Sequence, residues 1–171
     1  MDYSNLFLVI AYILIVQIDF VESVKRFLLN NRVDAEFRVF EQSTKNSQLA
    51  ANALGCSVSQ IAKSIVFLGE RVYVVVISGD KRVDTNKLSQ IVGERVRIAT
   101  PEEVYKFTGY KVGGVPPFPH KEEVKVLLDS SLKRFAYVWA AAGCENALFK
   151  IEVNKMFELL GAKEVNVAIT S

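Results

Sequence analysis

Lys63 is the residue whose surroundings are hardest to read as purely structural. It stands in Ile61-Ala62-Lys63-Ser64-Ile65-Val66, where an apolar helix face is expected to run into a buried strand. An ammonium group entering a core is costly unless something negative or carbonyl-like receives it. One reading is a lysine aimed into a pocket, with Ser64 beside it, holding an anionic or carbonyl oxygen. The other is a lysine that snorkels from a strand end. A second feature is Gly113-Gly114-Val115-Pro116-Pro117-Phe118-Pro119. Glycines let backbone N–H groups approach a ligand and prolines fix the loop's shape. This is either a pre-organised wall of amides for a carbonyl oxygen or a rigid structural turn.

Two further stretches allow chemistry. Ser78-Gly79-Asp80 closes a long apolar run and is followed by Lys81, Arg82 and Asp84. Strand ends in such sheets often carry ligands, although Gly-Asp is also ordinary turn chemistry. Trp139-Ala140-Ala141-Ala142-Gly143 could floor a pocket or let two elements pack closely. Other chemistries are poorly served. A single histidine, His120, is the one possible imidazole base, and a loop histidine is commonly just solvated. Cys56 and Cys144 read as small packing residues. No Gly-Lys-Ser/Thr follows the glycines, so this is not a Walker loop. No metal-ligand spacing or paired carboxylates stand out, and no metal or other cofactor is expected. An enzyme built from these residues would work by positioning and electrostatics.

The elements that must position these residues follow from periodicity. Phe20, Val21, Val24, Phe27 and Leu28 recur at helical spacing and stop at Asn30-Asn31. A strand is predicted over Ala35–Phe40, then a small-residue helix Ser47–Leu54 closed by Gly55, and a second short helix Val58–Lys63. Ile65–Leu68 and Val72–Ser78, separated by Gly-Glu-Arg, predict a hairpin. The second run is apolar throughout, so it should be central and buried on both faces. Asp84 caps a helix ending at Gly93, and Val96–Ala99 is a strand. Thr100-Pro101-Glu102-Glu103 starts a helix that Gly109 ends. Later strands are predicted at Val126–Asp129, Arg134–Trp139, Leu148–Val153 and Val165–Ile169, with Asn154 capping a helix to Leu160. The expected fold is a mixed α/β (α+β) domain.

Composition agrees with one folded unit. The chain has 171 residues, half of them apolar, and 21 Lys+Arg against 19 Asp+Glu give +2. That balance excludes a polybasic arm and a broad electrostatic grip on nucleic acid. Leu6–Val16 is an unbroken apolar run that accounts for much of the mean hydropathy of +0.20. It is short for a bilayer span, and its acidic flank is wrong for a secretory signal. The expectation is an extension over residues 1–18, read either as an added packing element or as the product of an upstream start choice, the latter preferred. Residues 19–171 then form the single domain, and no membrane is expected.

Taken together, these stretches resemble the YbaK/aminoacyl-tRNA synthetase-associated domain family. Ala50–Gly55, Gln60–Phe67, Ser78–Asp84, Ala99–Val104, Thr108–Phe118 and Trp139–Gly143 carry the likeness in the family's order. The resemblance implies a mixed, partly closed sheet flanked by helices. It implies a cytoplasmic deacylase acting in trans, which hydrolyses the ester of a mischarged tRNA, Ala- or Cys-tRNA-Pro being first candidates. Lys63 would sit by the scissile ester and the terminal adenosine. Gly113 to Pro117 would match the family's Gly-x-x-x-Pro element, whose backbone helps hold the aminoacyl group, and Lys63 and Gly113 would be the catalytic pair. Thr44, Lys45, Asn46, Ser64, Ser78, Gly79, Asp80, Gly114, Val115, Pro116, Pro117, Ala142 and Gly143 would contribute to substrate binding. Water attack assisted by a ribose hydroxyl would need no protein nucleophile. The implied partners are the aminoacyl-tRNA acceptor end and an aminoacyl-tRNA synthetase.

The chain departs from the family pattern in two places. Pro119 stands where a glycine is usual, which stiffens the loop, and Ser43-Thr44-Lys45-Asn46 lacks a second threonine, which leaves the amino acid open. The alternative from another class is a binding module that holds a nucleotide, an amino acid or an acceptor end without cleaving it.

Overall fold

The computed structural model describes residues 3–170. It contains helices α1 (Tyr3–Asn30), α2 (Ser47–Leu54), α3 (Thr85–Val92), α4 (Pro101–Thr108) and α5 (Val153–Leu160). The strands are β1 (Glu36–Val39), β2 (Ile61–Leu68), β3 (Val72–Ser78), β4 (Arg97–Ile98), β5 (Val124–Asp129), β6 (Tyr137–Ala141), β7 (Ala147–Glu152) and β8 (Lys163–Val165). They form one mixed sheet in the order β1-β7-β6-β2-β3-β5-β8, with β4 also pairing to β2.

Strand β3 occupies the centre because every residue after Val72 is buried. Val74 and Val76 enter a large core with the second half of α1, with α4, α5 and the loop residues Val115 and Phe118. Tyr73 and Val75 face the opposite layer with Leu88 of α3 and Val167. A smaller cluster beneath α2 joins Ala50 and Ala51 to Ile61, Trp139 and Leu148. Alanine there lets α2 lie close on the sheet.

Strand β2 explains how a cleft opens. It pairs with β3 along almost its whole length, but its other edge is shared. Parallel β6 takes Ile61 and Ala62, and β4 takes Phe67 and Leu68. Between these contacts the edge from Lys63 to Ile65 has no strand partner among the described residues. Where one strand has two different neighbours along one edge, the sheet must splay, and side chains from loops can reach in.

Several expectations change here. Val58–Gln60 is a single 3-10 turn and Ile61 already begins β2, so Lys63 lies inside a strand. The β-branched run starting at Ile61 was masked by the helical spacing of Val58, Ile61 and Ala62. Arg134 ends a 3-10 turn, Ser130–Arg134, and β6 starts only at Tyr137. Helix α5 starts at Val153 with Glu152 before it, so Asn154 is not its cap. The last strand ends at Val165, leaving one bridge between Val83 and Ala168.

Helix α1 runs unbroken from Tyr3 through the 18/19 boundary. Val21, Val24 and Leu28 are buried, whereas Leu6, Phe7, Leu8, Val9, Ile10, Tyr12, Ile13, Leu14 and Ile15 are exposed. Because the helix begins well before Leu6, an 18-residue window reaches a mean hydropathy of 2.1. By length and composition α1 is therefore apolar enough to cross a membrane.

Candidate active site

The cleft at the splayed edge of β2 has a volume of about 510 Å³. That is within the roughly 300–1,000 Å³ range of small-ligand sites. Lys63, Ser64 and Ile65 form one wall, Thr44 to Gln48 another, and Val112, Gly113 and Val115 a third, with Ala141 of β6 also contributing.

Lys63 donates from Nζ to the carbonyl oxygen of Gly79, at 3.2 Å. Burial pushes its pKa below the ordinary lysine value, Asp80 pulls in the opposite direction, and Arg82 adds to the lowering. The Gly79 carbonyl leaves Nζ two further donors for a ligand. The neighbouring Ser64 hydroxyl is buried with no hydrogen-bond partner among the described residues. A buried hydroxyl left unpaired costs free energy, and alternation along β2 turns this one to the sheet face opposite Lys63.

The Gly79 position could be no other residue. A Cβ there would lie 2.4 Å from the Val58 carbonyl oxygen and 2.8 Å from Ser47 Cβ. Its N–H donates to the Ile61 carbonyl at 2.7 Å, which anchors the end of β3 beside the start of β2. Gly113 has φ +88 and sits against Lys45, with only 2.7 Å to Lys45 Cβ for an added methyl group. Thr44 holds that segment in place, donating both N–H and Oγ1 to the Glu145 carbonyl.

The fold therefore brings Thr44, Lys45, Asn46, Lys63, Ser64, Gly79, Gly113 and Val115 to one cleft. The other expected residues lie elsewhere. Ser78 is fully buried, its hydroxyl donating to the Ser59 carbonyl and its N–H to Ser131 Oγ. Asp80 points to Arg134 rather than into the cleft. Gly114 is a packing glycine, since a Cβ would come within 2.9 Å of Cys144 Cα. Pro116 and Pro117 are buried behind the cleft, and Pro117 lines a separate cavity. Ala142 is fully buried in the core, and a Cβ on Gly143 would meet Phe20 of α1 at 2.8 Å. Asn46 lines the cleft, but its side-chain oxygen is committed to capping α2 through the Leu49 N–H.

The amide wall is narrower than the glycine and proline count suggests. The three prolines have no N–H, and Gly114 donates its own to the Lys111 carbonyl. The remaining N–H groups of the loop belong to Gly113, Val115 and Phe118, and of these residues Gly113 and Val115 line the cleft.

His120 is half-buried and lies outside the cleft. Its Nε2 lies 2.8 Å from the Pro116 carbonyl, which makes it the protonated nitrogen, and Tyr110 packs edge-on against the ring. Burial lowers its pKa. It faces the separate cavity of about 520 Å³, so it braces the loop from behind. Cys144 is a buried packing thiol whose pKa burial raises. No group of three or more metal-type ligands occurs among the described residues.

Of the small-residue stretch that could floor a pocket, Ala141 alone lines the cleft. Sequence reasoning did not single out Ser47, Gln48 or Val112, which only the start of α2 and the path of the glycine loop bring to it.

Known proteins share this sequence pattern and fold. The family model of the aminoacyl-tRNA editing domain matches residues 41–159. The uncharacterized protein YwhH of Bacillus subtilis (strain 168) is 38% identical over 126 residues, covering 72% of this chain and 80% of that one. The proline–tRNA ligase of Aquifex aeolicus (strain VF5) is 38% identical over 77 residues, a stretch that makes up 14% of the ligase. A crystal structure of the hypothetical protein APE2540 superposes with a TM-score of 0.82 at 32% identity, covering 86% of this chain and 99% of that one. Another, described as a candidate trans-editing enzyme for prolyl-tRNA synthetase, gives 0.81 at 35% identity, with 88% and 98% covered. The helix-flanked mixed sheet expected from the sequence is the fold of these structures.

Proposed function

From the premise that the chain belongs to the aminoacyl-tRNA editing domain family, we propose that it is a deacylase acting in trans on mischarged tRNA, with Ala- or Cys-charged tRNA-Pro as its first candidate substrates. The observation that carries this reading is a half-buried Lys63 that shares one cleft with Gly113 and the Thr44–Asn46 segment.

The proposed reaction is attack of water on the ester carbonyl, with the vicinal ribose hydroxyl of the terminal adenosine orienting the water. The ester C–O bond breaks, the proton from water ends on the departing ribose oxygen, and free amino acid and tRNA leave. Negative charge grows on the carbonyl oxygen in the transition state. Lys63 Nζ and the N–H groups of Gly113 and Val115 are the donors aimed at it. Fixed donors of this kind stabilise developing charge without reorganisation, and an ester needs this more than it needs a strong base. Thr44 and Lys45 are the nearest walls for the amino acid and ribose. With a net charge of +2, binding is local to the acceptor end, and an aminoacyl-tRNA synthetase is the natural source of the substrate. We place the reaction in the cytoplasm, where charged tRNA is used, and assign it to residues 19–171.

The test is a panel of mischarged tRNAs with the Lys63→Ala variant as control. Turnover of at least one ester is expected, with Lys63→Ala reduced on the order of 10²–10³-fold, the usual cost of one oxyanion donor. No turnover above buffer across the panel, together with retained binding of an aminoacyl-adenosine analogue, would establish the non-catalytic binding module instead.

A further inference from the structure

Asp80 does not line the cleft, yet its charge is felt at Lys63. The next residue back, Gly79, supplies the carbonyl that holds Nζ. A half-buried ammonium beside a free carboxylate would form an ion pair, and that pair would occupy the donors a substrate needs. The structure shows what prevents this. Arg134 receives Asp80 in a two-pronged fork, Nη2 to Oδ1 at 2.7 Å and Nη1 to Oδ2 at 3.1 Å. Its Nε donates to the Ser131 carbonyl at 2.9 Å, so the guanidinium cannot swing away.

The turn that carries Arg134 is itself fastened. Ser131 N–H donates to Asp129 Oδ2, and Asp129 Oδ1 accepts the Val167 N–H from within the core. Ser131 Oγ accepts the Ser78 N–H at the end of β3. The Ser130–Arg134 turn is thus clamped to the strand end that supplies the Lys63 contact.

We propose that Arg134 is a positioning residue that sequesters the Asp80 carboxylate and so keeps Lys63 free for substrate. Both carboxylate oxygens are engaged in planar geometry, which arginine achieves and lysine does not. The other charges bearing on Lys63 are Arg82, which acts through space, and Lys45 on the facing wall of the cleft. Both are cations, so Asp80 is the anion with which Lys63 would pair.

The test uses the full chain and the variants Arg134→Met, Asp80→Asn and the double variant, each checked for folding by circular dichroism. Its kinetic arm rests on the deacylase reading. There, Arg134→Met lowers kcat by about tenfold, and adding Asp80→Asn restores most of it, as expected for two coupled residues. A double variant as slow as Arg134→Met would mean that Arg134 only holds the turn, which overturns the proposal. The second arm is independent of activity. The Lys63 pKa, followed by NMR of the labelled Nζ, should rise in Arg134→Met and return in the double variant. An unchanged Lys63 pKa in Arg134→Met overturns the proposal even if the protein deacylates tRNA. Conversely, a wild type without deacylase activity but with the expected pKa pattern removes the deacylase reading and leaves this one standing.

Discussion

At the level of single residues, the proposed reaction rests on charge at Lys63 and backbone shape at Gly113. Ser64 separates stability from function. Its buried hydroxyl has no hydrogen-bond partner among the described residues, so Ser64→Ala removes a desolvation cost. Its denaturation midpoint should equal or exceed that of the wild type, and deacylation should be unchanged, because the hydroxyl lies on the sheet face opposite Lys63. A lower midpoint would show that the hydroxyl contributes to stability. Gly113→Ala should lose activity instead. At φ +88 with Lys45 Cβ 2.7 Å away, a methyl group must push the loop or the Thr44–Asn46 segment aside. Activity should drop steeply while the core, measured by near-UV circular dichroism, stays intact.

At the level of elements, the hairpin and the helix starts hold the cleft's walls in register. Glu94 locks the β2–β3 turn by accepting from the Glu70 and Arg71 N–H groups and from the Tyr73 hydroxyl at 2.6 Å; burial, and after it this bond to Glu94, push the Tyr73 pKa up to about 12. Helix α4 begins with a reciprocal capping box between Thr100 and Glu103, and Arg97 of β4 grips the same carboxylate. Thr100→Ala should cost about 1 kcal/mol in urea denaturation, the usual value of an N-cap. Glu103 adds a pH signature. Its pKa is depressed from 4.5 to about 2, chiefly by Arg97, so its stabilising contribution is present above pH 4.5 and lost as pH falls towards 2. That acid-side loss should shrink in Glu103→Gln. These caps were legible in the sequence because Thr-Pro-Glu-Glu and the terminal glycines act within one turn. The start of β2 was not, because Val58 to Lys63 satisfies helical spacing and strand composition alike. Only pairing with β3 and β6 settles the choice.

At the level of the whole molecule, the two halves of α1 behave as different materials. The second half is core, whereas the first presents apolar side chains around its full circumference to solvent. Exposed apolar surface on that scale drives association. Removing residues 1–18 should therefore leave deacylation unchanged, because none of those described lines the cleft. It should also reduce self-association in light scattering. Lost activity on truncation would show that this half of the helix supports the domain.

The sequence by itself determined the local grammar of this protein: which segments are apolar on both faces, where helices are capped, which loop is stiff, and that Lys63 is anomalous. Those properties depend on residues within a few positions of each other. Tertiary structure alone decided which members of the motifs reach the cleft. Gly113 and Val115 line it, whereas Gly114 packs on Cys144 and Pro116 and Pro117 are buried behind it, because the packing around the loop, not its sequence, decides which residues reach the cleft. Arg134 met Asp80 across 54 positions of chain, a contact that no spacing rule could foresee. The division has a physical cause. Conformational preference is set by near neighbours, but a site is made where a strand is shared between two partners and the sheet has to part.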